Sequence, residues 1–175
     1  MNKPDSLTFQ TIDTDGVPSA SPQARLFRDA MGGFATGVSV VTSLGENGER
    51  IGLTVNSFAS LSIDPPLVIW NLSNDSGLVS HFNKGRRFNI IFLSDGQKDL
   101  ALKFARADEE RYQGLEAPAS EDGVPLLYGS AGALECQIEG THAGGDHMIL
   151  IGRVLQFALS DKEPLLFHRG KFRHF

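Results

Sequence analysis

The chain has 175 residues, 41% of them hydrophobic and 21% charged, with a formal net charge of −5 at pH 7. That length and apolar share suit one compact domain with a real core, and the acidic balance argues against a protein built around a basic nucleic-acid face. No run approaches the roughly 18 consecutive apolar residues of a membrane-spanning helix, and no apolar stretch follows Lys3 and Asp5 as it would in a secretory leader, so a cytoplasmic protein is expected.

Residues 1–20 are polar, with Pro4, Gly16 and Pro18, and are expected to form a flexible arm ahead of one domain over 21–175. Ser21 as N-cap and Pro22 in the first turn predict a helix, on which Phe27, Ala30, Met31 and Phe34 share an apolar face. Val38 to Thr42 is a short β-branched strand. Glu46-Asn47-Gly48-Glu49 supplies the turn of a hairpin into a strand starting near Ile51.

Residues 52–68 then break the pattern. Thr54, Asn56, Ser57, Ser60 and Ser62 interrupt what would otherwise be a core strand. Burying such groups without partners costs roughly 1–3 kcal/mol each, so they face water or bond to something the chain holds. One reading is a small, polar, anionic ligand; the other is a capped turn beside Pro65 and Pro66.

Asp64-Pro65-Pro66 stops ladder pairing, because proline cannot donate. Leu67 to Trp70 reads as a strand buried on both faces, Gly77 to Asn83 as a short helix and Phe88 to Leu93 as another strand. Over Gln97 to Ala107, Leu100, Ala101, Phe104 and Ala105 make an amphipathic helix. Residues 113–130 carry loop chemistry, and strands close the chain at Ala131–Ile138, His147–Leu159 and Leu165–Phe167. Six or seven strands joined mostly by turns predict a mainly β fold with flanking helices, an antiparallel barrel closed or partly closed.

Several chemistries find no support. Gly32, Gly33 and Gly37 make neither G-x-G-x-x-G nor a P-loop, and no βαβ alternation is present. There is no G-x-S-x-G or His-Glu-x-x-His pattern. His142 and His147 have no further ligand at metal spacing, so no metal site is expected. The chain's one cysteine, Cys136, excludes an intrachain disulfide and alternates like a buried strand residue. Lys84, Arg86 and Arg87, with Lys171 and Arg173 near the C-terminus, are the concentrated basic patches, either solvated turns or anion contacts.

Three segments taken in order carry a family resemblance. They are Phe27-Arg28-Asp29-Ala30-Met31 with Phe34-Ala35-Thr36-Gly37-Val38, then Thr54-Val55-Asn56-Ser57-Phe58-Ala59-Ser60 through Pro65-Pro66-Leu67-Val68, then Gly144-Gly145-Asp146-His147. Pro164-Leu165-Leu166-Phe167 with Gly170-Lys171-Phe172-Arg173 extends the match, which spans about residues 24 to 173. The chain resembles the flavin reductase-like family, whose members include the small reductase components of two-component flavin-dependent monooxygenases.

The resemblance implies an FMN-binding split barrel working as a homodimer, with flavin near the subunit interface. It implies hydride transfer from NADH or NADPH to FMN, or to FAD, and release of reduced flavin to a partner oxygenase. Thr54, Val55, Asn56 and Ser57 would then flank the isoalloxazine and ribityl chain, with Ser60 and Leu61 nearer the phosphate. Lys84, Arg86 and Arg87 are suitably charged for that phosphate. Gly37 and Ser39 would let the backbone approach the flavin, Asp146 and His147 would position the nicotinamide, and Phe172 would stack on it or on adenine, or pack in the core. Val55 stands where relatives often carry a smaller residue, which narrows the expected pocket. No separate adenine-binding module is visible, which favours FMN. Hydride transfer needs geometry more than an acid or base, so His147 is the one residue expected to act at the reacting centre. The alternatives are a split barrel that keeps FMN as a bound prosthetic group and a non-enzymatic or sensory flavin binder.

Overall fold

The computed structural model describes residues 7–106 and 110–174. Residues 1–6 of the expected arm lie outside that range. Residues 7–20 form no helix or strand, and two bonds hold them to the first helix: Gln23 donates to the Thr11 carbonyl at 3.1 Å and Arg28 to the Ser19 carbonyl at 2.8 Å. That helix, α1 (Pro22–Met31), starts as the sequence predicts, with the Ser21 hydroxyl accepting from the Ala24 amide at 3.1 Å. Its apolar face differs from expectation. Phe27, Met31 and Phe34 are exposed, as is Leu26, and Ala24 is the buried residue of the helix.

Ten strands follow, all paired antiparallel: β1 (Thr36–Gly37), β2 (Ser39–Leu44), β3 (Arg50–Val55), β4 (Ala59–Ser62), β5 (Leu67–Ser73), β6 (Arg87–Phe92), β7 (Gly132–Gly144), β8 (His147–Leu159), β9 (Leu166–His168) and β10 (Lys171–Arg173). Seven make one sheet in the order β3-β2-β6-β7-β8-β5-β4, and β1-β9-β10 make a small second sheet. The mainly β, antiparallel class expected from the sequence is the one observed. No ladder closes the large sheet, so β3 and β4, neighbours in sequence, end up at opposite edges.

The period of two along the strands divides the core. Val41, Ile90, Trp70, Phe88 and Cys136 belong to one buried cluster, whereas Val40, Ile91, Leu93 and Leu165 belong to another. Adjacent residues of β2 and β6 therefore serve opposite faces, which is why both strands read as continuous apolar runs. The second face is covered by helix α2 (Lys98–Phe104) through Ala101 and Phe104. β5 does not repeat this pattern. Its burial alternates, because no second layer lies over the strand next to the β4 edge.

The expected short helix near Gly77 is a single 3-10 turn, Val79–His81. Residues 113–130 are a loop, as expected, pinned to the sheet where Thr42 donates to the Pro125 carbonyl at 2.6 Å. The Cys136 thiol is buried, and burial pushes its pKa up to about 12, so it stays protonated and inert at neutral pH. No helix among the described residues is long and apolar enough to cross a membrane.

Candidate functional site

A cavity of 820 Å³ has two walls. One wall is the end of β3 and the residues after it, Leu53 to Ser57, with Phe104 to Arg106 from the end of α2 and Arg111. The opposite wall is the end of β5 and its turn, Asn71 to Leu78, with Gly144, His147 and Ile149 from the β7–β8 hairpin. The two walls meet where the segment after β3 bonds to β5, the Asn71 amide donating to the Ser57 hydroxyl.

The polar residues of the first wall hold the walls themselves. Thr54 donates its hydroxyl to the Ala101 carbonyl at 2.7 Å, tying β3 to α2. Ser57 accepts from the Asn71 amide at 2.9 Å, so its hydroxyl continues the β5 ladder beyond the start of β4. The expectation that these hydroxyls await a ligand is corrected in part: both already have protein partners. No bond of the Asn56 side chain is seen among the described residues, and it is exposed at the cavity lip.

Glycine sets how closely α2 approaches. A Cβ at Gly52 would lie 2.4 Å from Cε1 of Phe104 and 2.9 Å from the Tyr112 hydroxyl. Tyr112 stacks edge-on against Phe104, ring centroids 5.1 Å apart, and donates to the Ile51 carbonyl at 2.7 Å. Arg111 donates to the next carbonyl, that of Gly52. Two consecutive carbonyls on the exposed edge of β3 are thus capped, and the segment after α2 is held beside the cavity. Burial raises the Tyr112 pKa, which keeps the hydroxyl a donor.

The hairpin wall is equally local in origin. Gly145 has φ +70° at the first position of the two-residue turn between Gly144 and His147, a conformation glycine adopts without strain. Asn74 donates its amide to the Asp146 carbonyl at 3.0 Å and its side chain to the Gly145 carbonyl at 3.1 Å, fastening the hairpin tip to the β5 turn. Asp146 and His147 meet at 2.8 Å between Oδ1 and Nδ1. The hydrogen bond from His147, and then its charge, hold the Asp146 carboxyl below its usual range. An ionised carboxylate only accepts, so Nδ1 carries the proton and Nε2 is left as the ring's other polar atom.

Of the sequence-predicted residues, the structure brings together Thr54, Val55, Asn56, Ser57 and His147, with Asp146 adjoining. The others lie elsewhere. Ser60 and Leu61 sit exposed on β4, where a register shift leaves Leu61 outside the ladder, and neither lines the cavity. Arg86 donates to the Leu44 carbonyl and Arg87 pairs with Asp122 at 3.3 Å, while Lys84 sits in the turn before β6. None of the three borders the cavity. Gly37 pairs with Leu166 in the small sheet, with nothing within 4 Å of a Cβ built there, and Ser39 is buried between β3 and β6. Phe172 packs on Phe167 at 5.4 Å, the core alternative.

Sequence reasoning missed Asn71, Ser73, Ser76 and Arg106. The cue for Arg106 was its place just after the amphipathic helix; nothing in the sequence placed that helix end at the cavity.

The profile of the flavin reductase like domain matches residues 31–175. The FMN reductase (NADH) SmoA of Agrobacterium fabrum is 41% identical over 152 residues, covering 87% of this chain and 86% of that one. The reductase component of a flavin-dependent trigonelline monooxygenase of Acinetobacter baylyi is 37% identical over 148 residues, 85% of this chain, which spans 48% of that relative's length. The solved structure of the Streptomyces globisporus NADH:FAD oxidoreductase SgcE6, with NAD and FAD fragments, superposes with a TM-score of 0.82 at 35% identity, covering 89% of this chain and 94% of that one. Matched over most of its length by that profile and by relatives of this similarity, the chain belongs to the flavin reductase-like family.

Proposed function

We propose that the protein is an NAD(P)H:flavin oxidoreductase that reduces FMN or FAD by hydride transfer and supplies reduced flavin to a partner oxygenase. One observation carries the reading: Thr54–Ser57 at the end of the edge strand β3 and Gly144 and His147 of the β7–β8 hairpin line a single cavity. Its volume lies within the usual range for small-molecule sites, roughly 300–1,000 Å³.

The residues present fit a flavin. Val55, Leu72, Leu78 and Ile149 offer apolar surface to a flat ring, and Asn56, Ser73 and Ser76 offer donors and acceptors to its polar edge and ribityl chain. Arg106 offers a cation to the phosphate, with no ion-pair partner among the described residues. When bound, flavin supplies the acceptor for a hydride from reduced nicotinamide. The chain's part is to bind, orient and exclude water. The first wall would hold the acceptor, and the hairpin wall would hold the donor through His147, whose ring Asp146 fixes at Nδ1. No proton carrier is required of the protein, so the catalytic contribution is positioning.

The reading further includes a homodimer and a diffusible reduced flavin. The exposed Leu26, Phe27, Met31 and Phe34 support the dimer, since a lone helix gains nothing by presenting them to water. NADH oxidation with added free FMN tests the function. Turnover of many flavin equivalents is expected. A single reduction per site would favour a bound prosthetic group, and no oxidation would overturn the enzymatic reading.

A further inference from the structure

The hairpin that carries His147 has little support where it meets the cavity. The ladder between β6 and β7 ends with Arg87 opposite Gln137, so the part of β7 beyond Ile138 has β8 as its one neighbouring strand among the described residues, and 141–144 are exposed. A ribbon of two strands is marginally stable by itself. On its other side β8 keeps β5 as a neighbour up to the pair Ser73 and His147, where β5 stops. The turn at the tip, Gly145-Asp146, lies past the end of that ladder.

Among the described residues, the hydrogen bonds that reach this turn from outside the hairpin both come from Asn74, whose amide donates to the Asp146 carbonyl and whose side chain donates to the Gly145 carbonyl. Asn74 is itself held in a compact turn. The Ser76 amide donates to the Ser73 carbonyl at 3.0 Å and the Asp75 amide to the Ser73 hydroxyl at 3.3 Å. Ser73, Asp75 and Ser76 line the cavity and Asn74 does not. One short turn therefore offers three residues to the cavity and the fourth to the hairpin.

We propose that Asn74 is a positioning residue for hydride transfer: by pinning the Gly145-Asp146 turn to the cavity wall, it fixes where His147 stands relative to the flavin. The inference rests on the flavin reductase reading and deepens it. Asn74 acts through His147 and touches no reacting atom. Its two donors engage two consecutive carbonyls, so the turn can neither slide along β5 nor pivot about a single bond. Hydride transfer depends steeply on geometry, with reacting atoms about 3–3.5 Å apart. A loosened hairpin therefore costs rate, while the flavin wall keeps its shape.

The test is single-turnover reduction of FMN by saturating NADH, followed by stopped-flow absorbance, on the whole protein and on Asn74→Ala, Asn74→Asp and Asn74→Gln. The first two lose the side-chain donor, Asn74→Asp with little change of shape, and Asn74→Gln keeps an amide. Asn74→Ala and Asn74→Asp are expected to slow flavin reduction about fivefold, the worth of one net hydrogen bond, and Asn74→Gln by clearly less. The KM for FMN and the Tm are expected to stay unchanged in all three, since Asn74 is exposed and lines no part of the cavity. NADH deuterated at the transferring position of C4 is expected to slow the same phase in every variant, which identifies hydride transfer as the affected step. In the ligand-free protein, hydrogen exchange over residues 143–148 is expected to be faster in Asn74→Ala and Asn74→Asp than in wild type and Asn74→Gln. Unchanged rates in the first two variants, an Asn74→Gln as slow as Asn74→Ala, a rate loss that follows a fall in Tm, an absent isotope effect, or unchanged exchange at the hairpin would overturn the positioning role. A wild type that does not reduce FMN would overturn the underlying reading instead.

Discussion

Asp146 and His147 are adjacent in sequence and form one unit at the hairpin tip. The depressed Asp146 pKa means that the carboxylate form is favoured in the folded state, so its contribution is fully present above the ordinary carboxylate value of 3.8 and is lost as pH falls below it. Between pH 5 and 8 the carboxylate therefore stays ionised, and no change in NADH affinity across that window should trace to Asp146. His147→Ala is expected to raise the apparent KM for NADH about tenfold while leaving the KM for flavin nearly constant; steady-state kinetics with each substrate varied in turn checks this. Asp146→Asn keeps an acceptor for Nδ1 but removes the charge, and its effect on the KM for NADH should be smaller. The turn that carries these two residues was legible in the sequence because a turn is local. The partners of Arg86 and Arg87, the Leu44 carbonyl and Asp122, were not legible, because they come from distant segments. A charge count shows a cluster but not where long side chains end.

At the scale of elements, the cavity depends on how α2 is seated on the β3 edge. Gly52→Ala puts a methyl 2.4 Å from the Phe104 ring, which must shift. The expected cost is about 1–3 kcal/mol, read as a lowered Tm, and the same shift should move Ala105 and Arg106 and raise the KM for flavin more than that for NADH. Thr54→Val keeps the shape and loses the donor to the Ala101 carbonyl. That carbonyl retains the Ala105 amide at 3.0 Å, so the expected loss is only about 1 kcal/mol, measured by denaturant unfolding. The polar stretch at 54–57 was visible in the sequence as an anomaly, and the structure gives it a second meaning: two of its hydroxyls join the walls of a site. The long strand β8 was legible in full, β7 only as far as Ile138 of a strand that runs to Gly144, and α1 from its cap. The short strands β1, β4 and β10 were not, because two to four residues carry no period and their pairing partners come from far along the chain.

For the whole molecule, the exposed apolar side of α1 makes a prediction about assembly. Phe27 and Met31 on α1 and Phe34 just beyond its end are exposed, and nothing within the described chain covers them. Light scattering after size exclusion is expected to give a dimer, and Phe27→Asp with Phe34→Asp to shift it toward monomer; a monomeric wild type would refute the assembly. The mainly β class followed from strand count and turn chemistry. The arrangement that matters for function, the end of β3 beside the β5 turn and the β7–β8 hairpin, came only from the tertiary fold, which local sequence does not encode. The family resemblance bridged that gap by linking residue 54 to residue 147 before any distance was known.

The central claim is that this cavity is a flavin site served by a nicotinamide donor. Its most direct measurement is NADH oxidation by the purified protein at increasing free FMN. A rate that saturates with FMN and consumes many equivalents of NADH per protein is the predicted result, whereas a rate no faster than the protein-free mixture at every flavin concentration would contradict the account.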